Sequence, residues 1–569
     1  MSIEQIRTFL IISLLMVLFL MWQAWQEDYG NLRLGATDSA ISGTNIAKQP
    51  ALPSGMTNSS QGSRDIPNFP SNTPSSSTLV PALPGAIPST TSMPLTEGGE
   101  RMIHVRTDLH DLLIAPSGTG IKQLDLLAYP ESQKRIDVPF RLLSQAPGVH
   151  FTADAPLFGS DPALHTPPVF HTEQYDYQLE EGKNTLEIRL FWDSKDGLRV
   201  TKIITFRRQS YLIDVSYEIE NAKEKPLAVR LHGRFKRYPP PGQNSIFRLP
   251  TYTGGVVSNT EHPYEKIDFK DMAEQDLWQI TNGGWMAMIQ HYFIGAWIPD
   301  ANISNHYYTK REGALYTIGV FNDKVIPPGE RGTIGIQGYL GPKIQDRMEA
   351  AAPNLSRTVD YGWLWIISQP LFWLLQKIHS LLGNWGWSII VLTILIKLVF
   401  FHLSATSYTS MAKMRKLQPR MTKLRDTYKN DKVKMNQRLM ELYKEEKVNP
   451  LSGCLPILIQ IPVFIALYWV LLESVELRQA DFIFWLKDLS THDPYFVLPI
   501  SMGITMFLQQ KLNPTPPDPI QAKIMMALPF VFTVLFLFFP SGLVLYWFTN
   551  NLLSIAQQWV ITKRIAPDS

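Results

Sequence analysis

Residues 385–404 read WGWSIIVLTILIKLVFFHLS, twenty residues with one charged side chain, Lys397. A helix crosses a bilayer with about 20 predominantly apolar residues. A lysine at the centre of such a helix costs about 2.5–3.5 kcal/mol. The eleven aliphatic or phenylalanine residues of 389–401 return roughly 0.3–0.6 kcal/mol each, about 5 kcal/mol in all. The segment can therefore carry one lysine without a special site, and its long stem can snorkel. What Lys397 means is decided by its surroundings. Thr393, four residues earlier, shares its helical face. Thr549, Asn550, Asn551, Ser554 and Gln557 make the last apolar run unusually polar, and Thr505, Gln509 and Gln510 punctuate another. Helices this polar gain little from facing lipid. They are expected to line a groove open to water on one side. No acidic residue lies well inside an apolar run, so water or a client carboxylate is the expected partner of Lys397.

Working outward, the apolar runs divide the chain. Residues 1–28 are expected to be an uncleaved signal anchor, because the run ends in Met21, Trp22, Gln23, Ala24 and Trp25 instead of small residues. Residues 29–100, rich in Ser and Pro, read as a flexible tether. Residues 101–345 alternate with period two: Leu186, Ile188, Leu190 and Trp192, then Ile213, Val215, Tyr217 and Ile219. That pattern predicts an antiparallel β-sandwich domain. Residues 346–383 read as a linker and an interfacial amphipathic helix, and 384–404 as span 2. A basic cytoplasmic helical hairpin follows over 405–450. Span 3 covers 451–473, a periplasmic loop 474–494, span 4 495–510, a cytoplasmic loop 511–523, span 5 524–540 and span 6 541–562. Residues 563–569 are a cytoplasmic tail. The fold class is thus a polytopic α-helical membrane protein of six spans with a large periplasmic antiparallel β domain.

Charge sets the orientation. Residues 405–450 hold twelve Lys or Arg against five Asp or Glu, the excess found in short cytoplasmic loops. The loop after span 3 is acid-rich. Six spans with both termini cytoplasmic put every basic cluster inside. A seventh span at 359–382 would put the basic loop outside. Met411, Met414, Leu417, Met421 and Leu424 recur at helical spacing, as do Met435, Leu439, Leu442 and Tyr443, with Asn430-Asp431 between them. Two antiparallel helices result. The charge of Lys413, Arg415, Lys416 and Arg420, with Met411 and Met414 beside them, reads either as orientation plus attraction to anionic lipid or as a docking surface for a ribosome or an acidic partner.

Several function classes are excluded or left without support. The net charge of +3 implies no specific DNA binding. The single cysteine, Cys454, allows no internal disulfide framework and no cysteine metal cluster. No protease, hydrolase, P-loop or dinucleotide motif occurs, so no catalytic residue, metal or cofactor is expected. A small-solute transporter could use the same polar residues, but the internal repeats frequent in transporters are missing. A tethered periplasmic sugar-binding or sugar-modifying enzyme is a third reading.

The runs YGWLWIISQPLF, NWGWSII, YTSMAKMRKLQP, YKEEKVNPLSGCLPILIQIPVFIALY, SVELRQA, DPYFVLPI and FPSGLVLYW closely resemble the YidC membrane protein insertases of Gram-negative bacteria. The resemblance spans the chain, is strongest over 360–558 and is weak in the tether. It implies a five-span insertase core, an N-terminal anchor, a periplasmic β-supersandwich and a cytoplasm-facing groove with a positive residue. That residue is usually arginine; Lys397 keeps the charge but not the planar five-donor fork. Thr393 matches a substrate-contacting threonine, and Trp547 falls where relatives have tyrosine. The groove set is then Lys397, Thr393, Trp547, Tyr546, Gln509 and Asn550. The implied activity is insertion and chaperoning of nascent inner-membrane proteins, alone or with a Sec-type translocon. The hairpin would meet ribosomes or targeting factors. The tail, ending KRIAPDS, is shorter than the family's basic tail.

Overall fold

Along Leu212–Asn221 the side chains of Ile213, Val215, Tyr217 and Ile219 are buried, while the residues between them are more exposed. This is the period-two pattern of a strand with one covered face. The computed structural model describes residues 96–97, 100–118, 120–146, 148–240, 251–428, 431–446, 448, 455–513 and 519–565. The expected anchor (1–28) lies outside the described residues, as does the tether apart from Thr96–Glu97 and its partner strand Glu100–Arg101.

Two sheets form the β domain. The eight-stranded sheet runs, in spatial order, Thr185–Asp193, Leu198–Arg207, Leu212–Asn221, Arg331–Pro342, Phe293–Ile298, Trp285–Gln290, Thr253–Ser258 and Glu265–Ile267. The eleven-stranded sheet centres on Leu227–Arg237, flanked by Leu315–Ile326 and Phe151–Asp154. Every pairing is antiparallel except Ile103–Arg106 with Asp176–Gln178. The turn before Leu198–Arg207 uses Gly197 at φ 86°, a left-handed conformation glycine adopts without strain. Phe235 and Trp297 stack across the two sheets at 5.7 Å, and the Tyr217 hydroxyl donates to the Ala155 carbonyl at 2.6 Å.

Among the described residues eight helices of ten or more residues follow: α1 Trp365–Leu382, α2 Trp385–Val399, α3 Phe401–Thr427, α4 Lys432–Glu445, α5 Leu455–Glu473, α6 Val497–Leu512, α7 Pro519–Phe536 and α8 Ser541–Ile565. Gly383, at φ 67°, ends α1, and Asn384 begins α2 by accepting from the Trp387 amide. Helix α1 buries Phe372, Leu375 and Ile378 while Trp365, Ile366 and Trp373 stay exposed. Its Ser368 hydroxyl donates to the Ala466 carbonyl of α5.

The stretch 384–404, read as one span, is not one helix. It breaks at Phe400, and α2 and α3 meet at a bend of 68°. Neither proline nor glycine stands at the break. Beside it the Gln557 amide of α8 donates to the Phe401 carbonyl at 3.3 Å. Among the described residues no single helix is long and apolar enough to cross a membrane. The bent pair α2–α3 is, by length and composition, and Ile459–Glu473 and Ala522–Phe536 are shorter apolar segments.

The β domain is docked on the helices through buried polar groups. Lys343 follows the last strand and donates to the Thr358 carbonyl at 3.1 Å and to Glu473, at the end of α5, at 3.0 Å. Their side chains are only 2% and 6% exposed. His291 bonds to the Leu472 carbonyl at 3.1 Å. Arg478 donates to the Pro130 and Glu131 carbonyls and lies over the Phe140 and Phe293 rings.

Glu476, in the same junction, buries Oε1 with no hydrogen-bond partner. Burial, with the charge of Asp346 adding to it, pushes its carboxyl up to about 7 from an ordinary 4.5. A carboxyl raised on folding takes up a proton on folding, so its stabilising effect is complete below pH 4.5 and is lost as pH rises through about 7. Glu476→Gln should flatten that slope, which is at most about 1.4 kcal/mol per pH unit, and should exceed the parent in stability at pH 8. Melting midpoints at acidic, neutral and mildly basic pH test this; parallel curves for the two proteins would refute it.

Candidate groove among the C-terminal helices

Helix α8 is the hub. It packs against α2, α3, α5 and α6, and its polar residues fall in rows because positions four apart share a face. Tyr546, Asn550 and Ser554 make one row. Lys397 of α2 donates to the Ser554 hydroxyl at 2.8 Å. Ser554 passes its own proton to the Asn550 carbonyl at 2.7 Å, so toward Lys397 it can only accept. The Asn550 side-chain oxygen accepts from Gln460 of α5 at 2.5 Å, and Gln460 also reaches the Tyr546 hydroxyl at 3.5 Å. Lys397, Ser554, Asn550, Gln460 and Tyr546 thus form a continuous polar seam joining α2, α8 and α5. Among the described residues no carboxylate pairs with Lys397.

The expected partner of Lys397, water or a client group, is therefore preceded by a side chain of the chain itself. Ser554 was legible as a polar residue of the last run, but its pairing with Lys397, across 157 residues, carries no local signal. Gln460 was missed: it is one amide in an otherwise apolar run, LPILIQIPVF.

The other groove candidates divide. Thr393 is fully buried, and its hydroxyl donates back to the Ile389 carbonyl at 2.7 Å. It shares a helix with Lys397 but presents no free hydroxyl to the seam. Trp547 is half-buried in an aromatic cluster, 4.4 Å from Phe464 and 5.2 Å from Phe536 between ring centres. It walls the seam without bonding to it. Gln509 is half-buried on α6 and makes no hydrogen bond to these groups among the described residues. The α6–α8 contact is instead carried by Asn551 on Thr505 and by Gln558 on Leu512 and Asn513.

Helices α3 and α4 pack on each other. Leu417 and Met421 of α3 and Leu439, Leu442 and Tyr443 of α4 are buried. Arg420 pairs with Glu446 at 2.6 Å, and Asp431 begins α4 by accepting from the Lys434 amide. Lys413, Arg415, Lys416 and Arg420 are exposed, with Met411 and Met414 half-buried among them. A cleft of about 450 Å³ runs between α3 and the end of α8, lined by Ala412, Arg415, Lys416, Pro419 and Thr562 among others. It lies on the hairpin side of Lys397, beside the basic residues.

A family model described as "60Kd inner membrane protein" matches residues 377–568, and one described as "YidC periplasmic domain" matches 102–374. "Membrane protein insertase YidC" of Stutzerimonas stutzeri is 46% identical over 565 residues, covering 98% of each chain. The protein of that name from Nitrosococcus oceani is 44% identical over 573 residues, covering 99% of each. A solved structure described as an active YidC insertase with its first transmembrane domain resolved is 20% identical, with a TM-score of 0.37, and covers 80% of this chain and 94% of its own.

Proposed function

The chain belongs to the YidC family of membrane protein insertases, and from that premise we propose that Lys397 is where it receives the polar flank of a nascent client. It is a bacterial inner-membrane protein with a periplasmic domain, and it inserts membrane proteins; its relatives are named as insertases, which leaves the transporter and sugar-enzyme readings without support.

The observation that carries the site is Lys397 held inside the bundle on a neutral hydroxyl, with no carboxylate partner among the described residues. Lys397 is half-buried, and an ammonium partly removed from water with only a neutral acceptor is under-compensated. A client carboxylate that replaces Ser554 brings the opposite charge the ammonium lacks, adding an ion pair to the charge-assisted hydrogen bond Lys397 already makes. The Asn550, Gln460 and Tyr546 groups hydrate the rest of a short polar segment as it passes, which lowers the desolvation cost of crossing hydrocarbon. Burial of the client's apolar helix in lipid drives the step. Membrane potential adds about 2.3 kcal/mol per acidic charge per 100 mV.

In this reading the bent pair α2–α3 leads from the periplasmic side to the cytoplasm, six spans cross the membrane, and both termini are cytoplasmic. The hairpin, with Lys413, Arg415, Lys416 and Arg420 exposed, is the first contact for ribosomes or targeting factors and for anionic lipid. A Sec-type translocon shares some clients. Stalled nascent chains carrying a photoreactive residue in the polar flank test this. Crosslinks are expected to Asn550 and Ser554 before Trp547, and none to Thr393. Uniform labelling of α1 and α7 without α8 would remove the seam from the pathway.

A further inference from the structure

Six described residues other than glycine have positive φ, and three of them, Gln479, Phe484 and Phe496, lie in the loop joining α5 to α6. Phe484 (φ 52°) is 78% exposed. A bulky residue in the left-handed region is strained and is usually replaced there by Gly, Asn or Asp. Strain combined with an exposed phenyl ring gives nothing back in water.

The loop cannot relax to relieve it. Phe482 bonds to Leu486, Leu486 to Ile483, and Leu489 to Ala480 through the backbone. The Trp485 indole donates to Asp493 at 3.0 Å, and Asp493, 1% exposed, also accepts from the Leu498 amide. Ile483 and Trp485 pack on the core, leaving Phe484 as the ring turned out.

The position of the loop says what the ring meets. Asn384, before α2, donates to the Asp481 and Phe482 carbonyls, and Ser541 and Gly542, opening α8, donate to Thr491 and Leu489. The loop therefore covers the end of the bundle opposite the basic hairpin. Trp387, Tyr495 and Phe496 are 49%, 68% and 38% exposed at that same end. Exposed aromatic rings gathered at one end of an apolar bundle are the pattern of a membrane–water interface.

We propose that Phe484 is the tip of a rigid wedge, built by residues 479–496, that seats in the headgroup–acyl boundary of the lipid bilayer. The inference rests on the reading of the bundle as membrane-spanning. It adds a lipid contact made by a connecting loop, separate from the groove. The strained backbone serves to aim the Phe484 ring outward while its neighbours Phe482, Ile483, Trp485 and Leu486 pack inward.

The test places the photoreactive analogue p-benzoylphenylalanine at position 484 of the full chain, reconstituted in phosphatidylethanolamine–phosphatidylglycerol vesicles. The analogue keeps the aromatic ring. Two further sites calibrate it: Ile504, exposed on α6, and Lys195, exposed in a β turn. After irradiation, mass spectrometry is expected to find phospholipid adducts at 484 as abundant as at 504 and roughly tenfold above 195. Adducts at 504 with 484 at the level of 195 would overturn the wedge and leave the spans standing. A chain-to-chain product at 484 would make the occupant a second copy and equally overturn it. No adduct at 504 would remove the premise that α6 faces lipid, and the wedge with it.

Discussion

Replacing Lys343 by methionine lowers the midpoint of thermal unfolding by on the order of 10 °C, corresponding to about 3–5 kcal/mol. The size follows from what remains. Lys343 and Glu473 are 2% and 6% exposed and are 3.0 Å apart. Without the ammonium, Glu473 keeps a buried charge at the end of α5 and the Thr358 carbonyl loses its donor. Glu473→Gln is milder, because an amide can still accept from Lys343. The double change Lys343→Met with Glu473→Leu recovers most of the loss, since an apolar pair of similar volume needs no charge compensation. The double-mutant cycle isolates the pair. Unfolding of the four proteins in detergent measures it. Single losses under about 1 kcal/mol that simply add would mean that water reaches the pair and that the domain is not fastened there.

Lys397→Glu should reduce insertion of small, acidic-tailed clients by roughly 10- to 100-fold, the range given by one charge-assisted hydrogen bond of about 1.5–3 kcal/mol. Reversal also sets like charge against the client flank. Lys397→Met falls between, because the seam keeps its neutral polar groups but loses its cation. Lys397→Arg keeps most activity: the charge stays, and Ser554 needs one donor where arginine offers five. Protease protection of the client in a depletion strain reads all three. Equal insertion by the glutamate and parental proteins, at equal expression, would end the role assigned to this position.

What the chain disclosed in advance follows from the range of each interaction. Ile213, Val215, Tyr217 and Ile219 signal their strand because one face of a sheet is covered and the next is not, a rule written every second residue. The two hairpin helices were legible for the same reason at a longer period, and Asp431 supplied a local capping signal where α4 starts. The break at Phe400 was not. Its residues are as apolar as their neighbours, and its polar contact comes from Gln557, 156 positions away. Thr393 shows a different limit. Spacing placed it on the face of Lys397, but a buried threonine hydroxyl can turn to its own backbone, and here it does. The Lys343–Glu473 pair was invisible as a pair, since each residue alone reads as an ordinary charge beside an apolar run.

The bend at Phe400 turns α3 into a lever with its elbow beside Ser554 and Lys397. With 27 residues, the arm is ~40 Å long at 1.5 Å per residue. A change of ten degrees at the elbow would sweep its far tip by ~7 Å, while the Lys397 end hardly moves. A load applied at the tip would therefore act with large mechanical advantage on the contacts that fix the elbow, Gln557 on the Phe401 carbonyl among them.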